Sequence, residues 1–235
     1  MVSKLSGKFI VIDGSDGSGK KTQSDILVKK LKKAGHKVAY YDFPQYKKTL
    51  FGKLFARYLN GEFGEADDVS PYLTSLLTAG DRWQASEKIE KDLKAGKIVV
   101  SNRYIQSNMG FQGAKFRTKK QKIQFTKWLE ELEYGVYGIP RADQVLYLYV
   151  PYKISQALVD NKSKRDYTKM KRDIHEKNSN FLRRVEKSYL ELSEKYPEWK
   201  KIDCYDKKNN SILPIDEIAE KVLETVSGIV KIKIA

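Results

Sequence analysis

Seven residues, Gly14-Ser-Asp-Gly-Ser-Gly-Lys20, leave this chain few ways to fold. They follow a short β-branched run, Phe9-Ile-Val-Ile12, that reads as a buried strand. They lead into an amphipathic stretch, Lys20 to about Lys33, that reads as a helix. The spacing from Gly14 to Gly19-Lys20 fits G-x-x-x-x-G-K, the phosphate-cradling loop. Gly14, Gly17 and Gly19 let backbone N–H groups converge on an anion that also meets the positive end of the helix dipole. Lys20 then reaches the β/γ-phosphates of a nucleoside triphosphate. The bland alternative is a Gly-rich turn that binds nothing; strand and helix in register around the loop argue against it. Lys21 departs from the pattern, standing where a Ser or Thr hydroxyl usually holds Mg²⁺. Thr22 is the candidate substitute; otherwise the metal is held through substrate phosphates and water.

The rest of the chain alternates strands with helices. His36–Asp42 reads as a second strand, broken by Phe43-Pro44 because proline removes a ladder donor. A helix is expected over Thr49–Asn60 and an acidic, Gly-punctuated loop over Glu62–Val69. Ser70-Pro71 opens another helix carrying Leu76, Leu77, Arg82 and Trp83, and a further one runs from Ala85 to Ala95. Lys97–Ser101 is the third strand, so Asn102-Arg103-Tyr104 sits just beyond its end, where open α/β sheets bind ligands. Gln121–Leu132 reads as an amphipathic helix, Gln144–Val150 as the fourth strand, Trp199–Tyr205 as a fifth, and Pro214 opens a last helix. The tail, Ile229–Ile234, alternates apolar residues with lysine as an added edge strand would. This order calls for an α/β three-layer sandwich around a parallel sheet. At 235 residues one domain spanning 1–235 is the simpler reading, though two are not excluded.

Composition narrows the class. A 40% hydrophobic share with 32% charged residues is that of a soluble globular protein, and no apolar run approaches a membrane span of roughly 20 residues. The first strand follows Met1 too closely for a signal peptide, and the lone Cys204 forms no internal disulfide, so the cytoplasm is expected. Two histidines and one cysteine argue against structural zinc. The net charge of +15 is scattered over helices without interleaved aromatics, so it reads as a solvated surface, and nucleic acid is not an expected partner.

Taken together, Asp-Gly-x-Asp-Gly-x-Gly-Lys, Phe43-Pro-x-Tyr46, Asp81-Arg82 and Arg103-Tyr-x-x-Ser-Asn108 resemble a thymidylate kinase, over roughly Lys8–Val226. The resemblance implies a P-loop kinase with strand order 2-3-1-4-5, a homodimer and a basic lid, here about 161–172. It also implies transfer of the γ-phosphoryl of MgATP to dTMP. On it, Gly14, Ser15, Asp16, Gly17, Ser18, Gly19, Lys20, Lys21 and Thr22 are the ATP-binding residues. Lys20, Arg103 and Arg165 are the catalytic cations, Arg165 from the lid. The dTMP side comprises Asp16 at the sugar 3′-hydroxyl, Phe43 and Tyr46 beside the acceptor phosphate, and Arg103 on that phosphate. Arg82 and Asn108 then read the base edge, with Phe111 near the sugar. For Arg82 the competing reading is a surface ion pair with Asp81; for Phe111 it is core packing. Gly17 occupies a loop position where some members carry arginine. No general base is required, since the acceptor is already a phosphate oxygen, and no histidine lies near the motifs.

Three residues depart from the family pattern. Thr78 stands where a phenylalanine usually stacks on thymine, Asn102 replaces an aspartate, and Lys21 replaces a hydroxyl. They keep alive another nucleoside monophosphate or deoxynucleoside kinase on the same scaffold, for instance one preferring dUMP or dGMP. A non-catalytic nucleotide- or nucleic-acid-binding protein is the alternative from another class.

Overall fold

The structure is a computed structural model that describes residues 6–160, 174–175 and 178–230. Arg165 and the whole of the expected lid, about 161–172, lie outside the described residues, as do residues 231–235 of the tail.

Five parallel strands form the sheet: β1 (Lys8–Gly14), β2 (Val38–Asp42), β3 (Ile98–Asn102), β4 (Gln144–Tyr149) and β5 (Trp199–Asp203), in the order β2-β3-β1-β4-β5. In β1 successive side chains go to opposite faces and both faces are buried, as a fully covered parallel sheet requires. Phe9 and Val11 join Val99, Val145 and Tyr147 under α3 (Pro71–Lys94), α4 (Ile105–Phe111), α5 (Lys119–Glu130) and α7 (Ser179–Lys195). Ile10 and Ile12 join Val100, Leu146 and Leu148 under α1 (Lys20–Lys33) and α8 (Ile215–Ser227). Two shorter helices, α2 (Leu50–Leu59) and α6 (Tyr152–Asp160), flank the carboxyl edge, and a small hairpin pairs β6 (Tyr205–Asp206) with β7 (Ser211–Ile212).

Three sequence expectations change. The two helices read across Ser70–Ala95 are one, α3, because no residue between Arg82 and Ala85 breaks a helix. Its inward face is polar at Thr74, Ser75, Thr78, Asp81 and Arg82, and this hides the usual apolar periodicity. The helix expected over Gln121–Leu132 ends at Glu130 and passes into a π-helical turn, Glu131–Val136. Ile229 and Val230 form a turn after α8 rather than the start of an edge strand.

Candidate active site

The glycine-rich loop joins β1 to α1. Gly19 caps α1 in a left-handed conformation, φ 85°, and no side chain closes the amides of the first turn. That turn carries lysines and no acidic residue, so its positive end suits an anion. Gly17 has φ 88°, and a Cβ there would lie 2.2 Å from the Ser155 carbonyl oxygen on α6. The arginine that the family resemblance allows at this position has no room in this chain. Lys20 is buried and folds back over the loop, donating to the Ser15 carbonyl at 2.6 Å. Its Nζ lies 4.0 Å from Asp16 Oδ1. Lys21 points away and pairs with Asp25 at 2.6 Å, 5.3 Å from the Tyr40 ring centre. Thr22 is exposed on the same turn.

Arg103 approaches from the neighbouring strand end. Its backbone N–H donates to Ile12 O at 2.9 Å, and its φ of 65° turns the side chain back toward the loop. Left-handed backbone at a non-glycine residue is uncommon and marks sites held by their surroundings. The guanidinium donates to Asp16, donates to Ser107 Oγ at 3.1 Å, and lies 5.2 Å from the Phe111 ring centre. Burial alone would lower its pKa; Asp16 and Asp13 more than offset that, and the net shift is upward. Asp13, which sequence reasoning missed, is fully buried and accepts from Gly14 N–H at 2.8 Å, Ser107 Oγ at 2.9 Å and Tyr189 OH at 2.8 Å. It fastens the loop to α4 and α7. Its place at the end of β1 was visible in the sequence; its partner 176 residues away was not.

Beyond Arg103 opens a cleft of about 520 Å³, its solvent-open mouth included. Asp16, Phe43, Tyr46, Thr78, Arg82, Arg103, Asn108 and Phe111 all line it, so every expected acceptor residue converges there. Phe43 is buried against Tyr104, ring centres 5.9 Å apart, and Tyr46 stacks on Phe55 at 6.4 Å. Phe111 is largely buried, so core packing and lining of the cleft coexist.

Two expectations are corrected here. Arg82 makes no surface ion pair with Asp81. Its relative exposure is 2%, and Glu133, at 0%, grips Nε and Nη2 at 2.6 Å each. Burial would lower the Arg82 pKa, but Glu133 reverses that, raising it. Asp81 instead accepts from Gln45 N–H at 2.8 Å and from the Thr49 hydroxyl, fixing the segment after Pro44. Glu133 belongs to the π-helical turn, whose extra residue per turn was not readable from an amphipathic pattern.

A histidine does reach the motifs: His175 lines the cleft, stacks on Phe111 at 5.7 Å, and has Nε2 2.9 Å from Tyr58 OH. Burial, with help from Lys115, lowers its pKa to about 3, so the ring is neutral at pH 7. Asn102 donates its amide to Asp42 at 2.7 Å, while its Oδ1 is buried without a hydrogen-bond partner among the described residues. Burial raises the Asp42 pKa and this hydrogen bond pulls against it.

The arrangement has the parts for moving a phosphoryl group between two anionic ligands. An uncapped helix and a lysine face one side of Asp16, and a half-buried arginine faces the other. Known proteins agree with this geometry. The thymidylate kinase family profile matches residues 12–211. A probable thymidylate kinase of Thermococcus onnurineus is 31% identical over 225 residues, spanning 93% of this chain and 96% of that one. Human thymidylate kinase is 34% identical over 142 residues, 60% of each chain. The solved thymidylate kinase of Candida albicans superposes with a TM-score of 0.73 at 26% identity, covering 94% of this chain and 92% of its own.

Proposed function

The chain belongs to the thymidylate kinase family, which phosphorylates dTMP to dTDP with ATP, and from that premise we propose how its own residues carry the reaction. The observation that supports the assignment best is the convergence of Lys20 and Arg103 on one carboxylate, Asp16. It brings a cation of the triphosphate loop and a cation of the acceptor cleft to adjoining positions. Lys20 holds the β/γ-oxygens of ATP, while Arg103 turns its fork to the acceptor phosphate. Asp16 accepts the sugar 3′-hydroxyl, and its negative charge keeps both cations oriented before substrates arrive. Arg82 and Asn108 meet the base.

Phosphoryl transfer needs in-line positioning and charge neutralisation more than covalent help, and a phosphate acceptor needs no base. His175, neutral and hydrogen-bonded to Tyr58, is therefore a wall of the cleft and takes no proton from the acceptor.

Among the described residues no three His, Cys, Asp or Glu side chains cluster to hold a metal. The oxygens at hand, Asp16, the unpartnered Asn102 Oδ1 and the exposed Thr22, suit a hydrated Mg²⁺ carried in on ATP, whose chemistry would be to neutralise the β- and γ-phosphates. We also propose a single functional domain working as a homodimer. Leu73 and Trp83 on α3 are 61% and 51% exposed, too apolar for a face left in water. Among the described residues no helix is long and apolar enough to cross a membrane.

Replacing Lys20 with Ala should lower dTDP formation by about 10²–10³-fold, measured by coupled ADP release, while circular dichroism stays that of the folded protein. Full turnover by that variant would overturn the assignment of the loop.

A further inference from the structure

Four side chains make one hydrogen-bonded chain down the wall of the acceptor cleft. Glu133 takes Nε and Nη2 of Arg82 at 2.6 Å, and Arg82 Nη2 donates onward to Thr78 Oγ1 at 3.4 Å. Thr78 Oγ1 lies 2.8 Å from Asn108 Oδ1, and Asn108 Nδ2 lies 3.5 Å from the Ser75 carbonyl. A guanidinium has no acceptor, so the Thr78 oxygen accepts from Arg82, and its single proton has two acceptors in reach, Asn108 Oδ1 at 2.8 Å and the Ser75 carbonyl at 3.2 Å, of which Asn108 is the nearer. Turning the Asn108 amide over would set its oxygen against the Ser75 carbonyl, acceptor facing acceptor. The shorter Thr78–Asn108 contact and this clash favour one direction for the chain, and it begins at Glu133. All four residues are nearly fully buried, so water does not scramble it.

Direction at the wall becomes selection at the base. We propose that Glu133 and Thr78 are positioning residues that fix the donor–acceptor order of Arg82 and Asn108, so that the cleft selects bases carrying a carbonyl beside a ring N–H. Arg82 offers only N–H groups, which suit the carbonyl. Asn108 Oδ1 accepts from Thr78 and keeps a second lone pair for the ring N–H. Thymine, uracil and guanine present that edge. Cytosine and adenine put an amino group against Arg82 and a bare ring nitrogen against Asn108, leaving buried donors and acceptors unpaired. Thr78 thus does more than leave out a stacking ring: its hydroxyl carries the polarity from Arg82 to Asn108. The inference rests on the cleft being the acceptor nucleotide site.

The test compares dTMP with dCMP on wild-type protein and on Thr78→Val, Thr78→Ser and Glu133→Gln. It reads both kcat/KM in coupled ADP release and Kd by titration calorimetry without ATP. Wild type should prefer dTMP at least about a thousandfold. Thr78→Val, nearly isosteric but without the hydroxyl, should shrink that preference tenfold or more by freeing the Asn108 amide to turn. Thr78→Ser should restore it, and Glu133→Gln should shrink it while the melting curve still shows a folded protein. A Thr78→Val protein that loses rate or affinity equally for both nucleotides, its ratio within twofold of wild type, would overturn the proposal and leave Thr78 a packing residue. Wild type that binds dTMP but releases no ADP would instead sink the catalytic reading, while the binding ratios would still decide this one.

Discussion

Removing Glu133 tests how the cleft is held together. Arg82 is nearly fully buried and makes its two shortest contacts with that carboxylate; its remaining hydrogen-bond partners are the Tyr104 carbonyl at 3.2 Å and Thr78 at 3.4 Å. Glu133→Ala therefore leaves a permanently charged guanidinium buried without a counter-charge. Breaking a buried pair from one side costs roughly 3–5 kcal/mol. In a protein of this size each kcal/mol moves the melting temperature by about 2–4 °C, so a fall of roughly 6–20 °C is expected. Replacing both partners with apolar residues of similar volume, Arg82→Met with Glu133→Leu, should recover most of that loss, because no charge then remains to desolvate. The double variant should nevertheless bind dTMP poorly, having lost the donor that meets the base. Differential scanning calorimetry and dTMP titration on the three proteins separate the two effects. A Glu133→Ala protein melting within about 2 °C of wild type would refute the reasoning, since it would mean that water or another anion already compensates Arg82.

Three further outcomes follow from the geometry. Gly17→Ala should abolish ATP binding or destabilise the fold, because its Cβ would meet the Ser155 carbonyl oxygen at 2.2 Å; nucleotide titration beside a thermal melt reads both. His175 is held neutral with a pKa of about 3 against an ordinary 6.5, so the folded state binds fewer protons than the unfolded state between those values. Its contribution to stability is complete above pH 6.5 and is lost on acidification at about 1.4 kcal/mol per pH unit. Urea melts from pH 7 to pH 4 should show this slope reduced in His175→Phe; equal slopes would argue that the ring is protonated in the fold. Leu73→Glu on the exposed face of α3 should shift a dimer to monomer in light scattering, and an unchanged mass would place the association elsewhere.

The sheet and the phosphate loop were legible because their signals are local. A β-branched run, three glycines and a lysine at fixed spacing dictate strand, turn and helix within some 20 residues. The strand order agrees with what the family resemblance implied, β2-β3-β1-β4-β5. The predicted acceptor residues also meet in one cleft: Asp16, Phe43, Tyr46, Arg103, Asn108 and Phe111 follow the ends of β1, β2 and β3, and Thr78 and Arg82 come from the inward face of α3. What escaped was of two kinds. Helix α3 was cut in two because its buried face is built from Thr74, Ser75, Thr78, Asp81 and Arg82, so the rule that buried means apolar fails where the helix lines the cleft. Glu133, Asp13 and His175 escaped because their meaning lies in partners 51, 176 and 117 residues away. A buried carboxylate looks like any acidic residue until the arginine beside it is seen.

The contact between the phosphate loop and α6 also narrows the routes open to this enzyme's descendants. Acquiring an arginine at position 17 would require α6 to retreat from Gly17 in the same step, because either change alone leaves a collision or a gap. Any further cation for this site is therefore supplied more easily from outside the loop. A ligand wedged against the Ser155 carbonyl would meet main chain, which a change of side chain at position 155 does not take away.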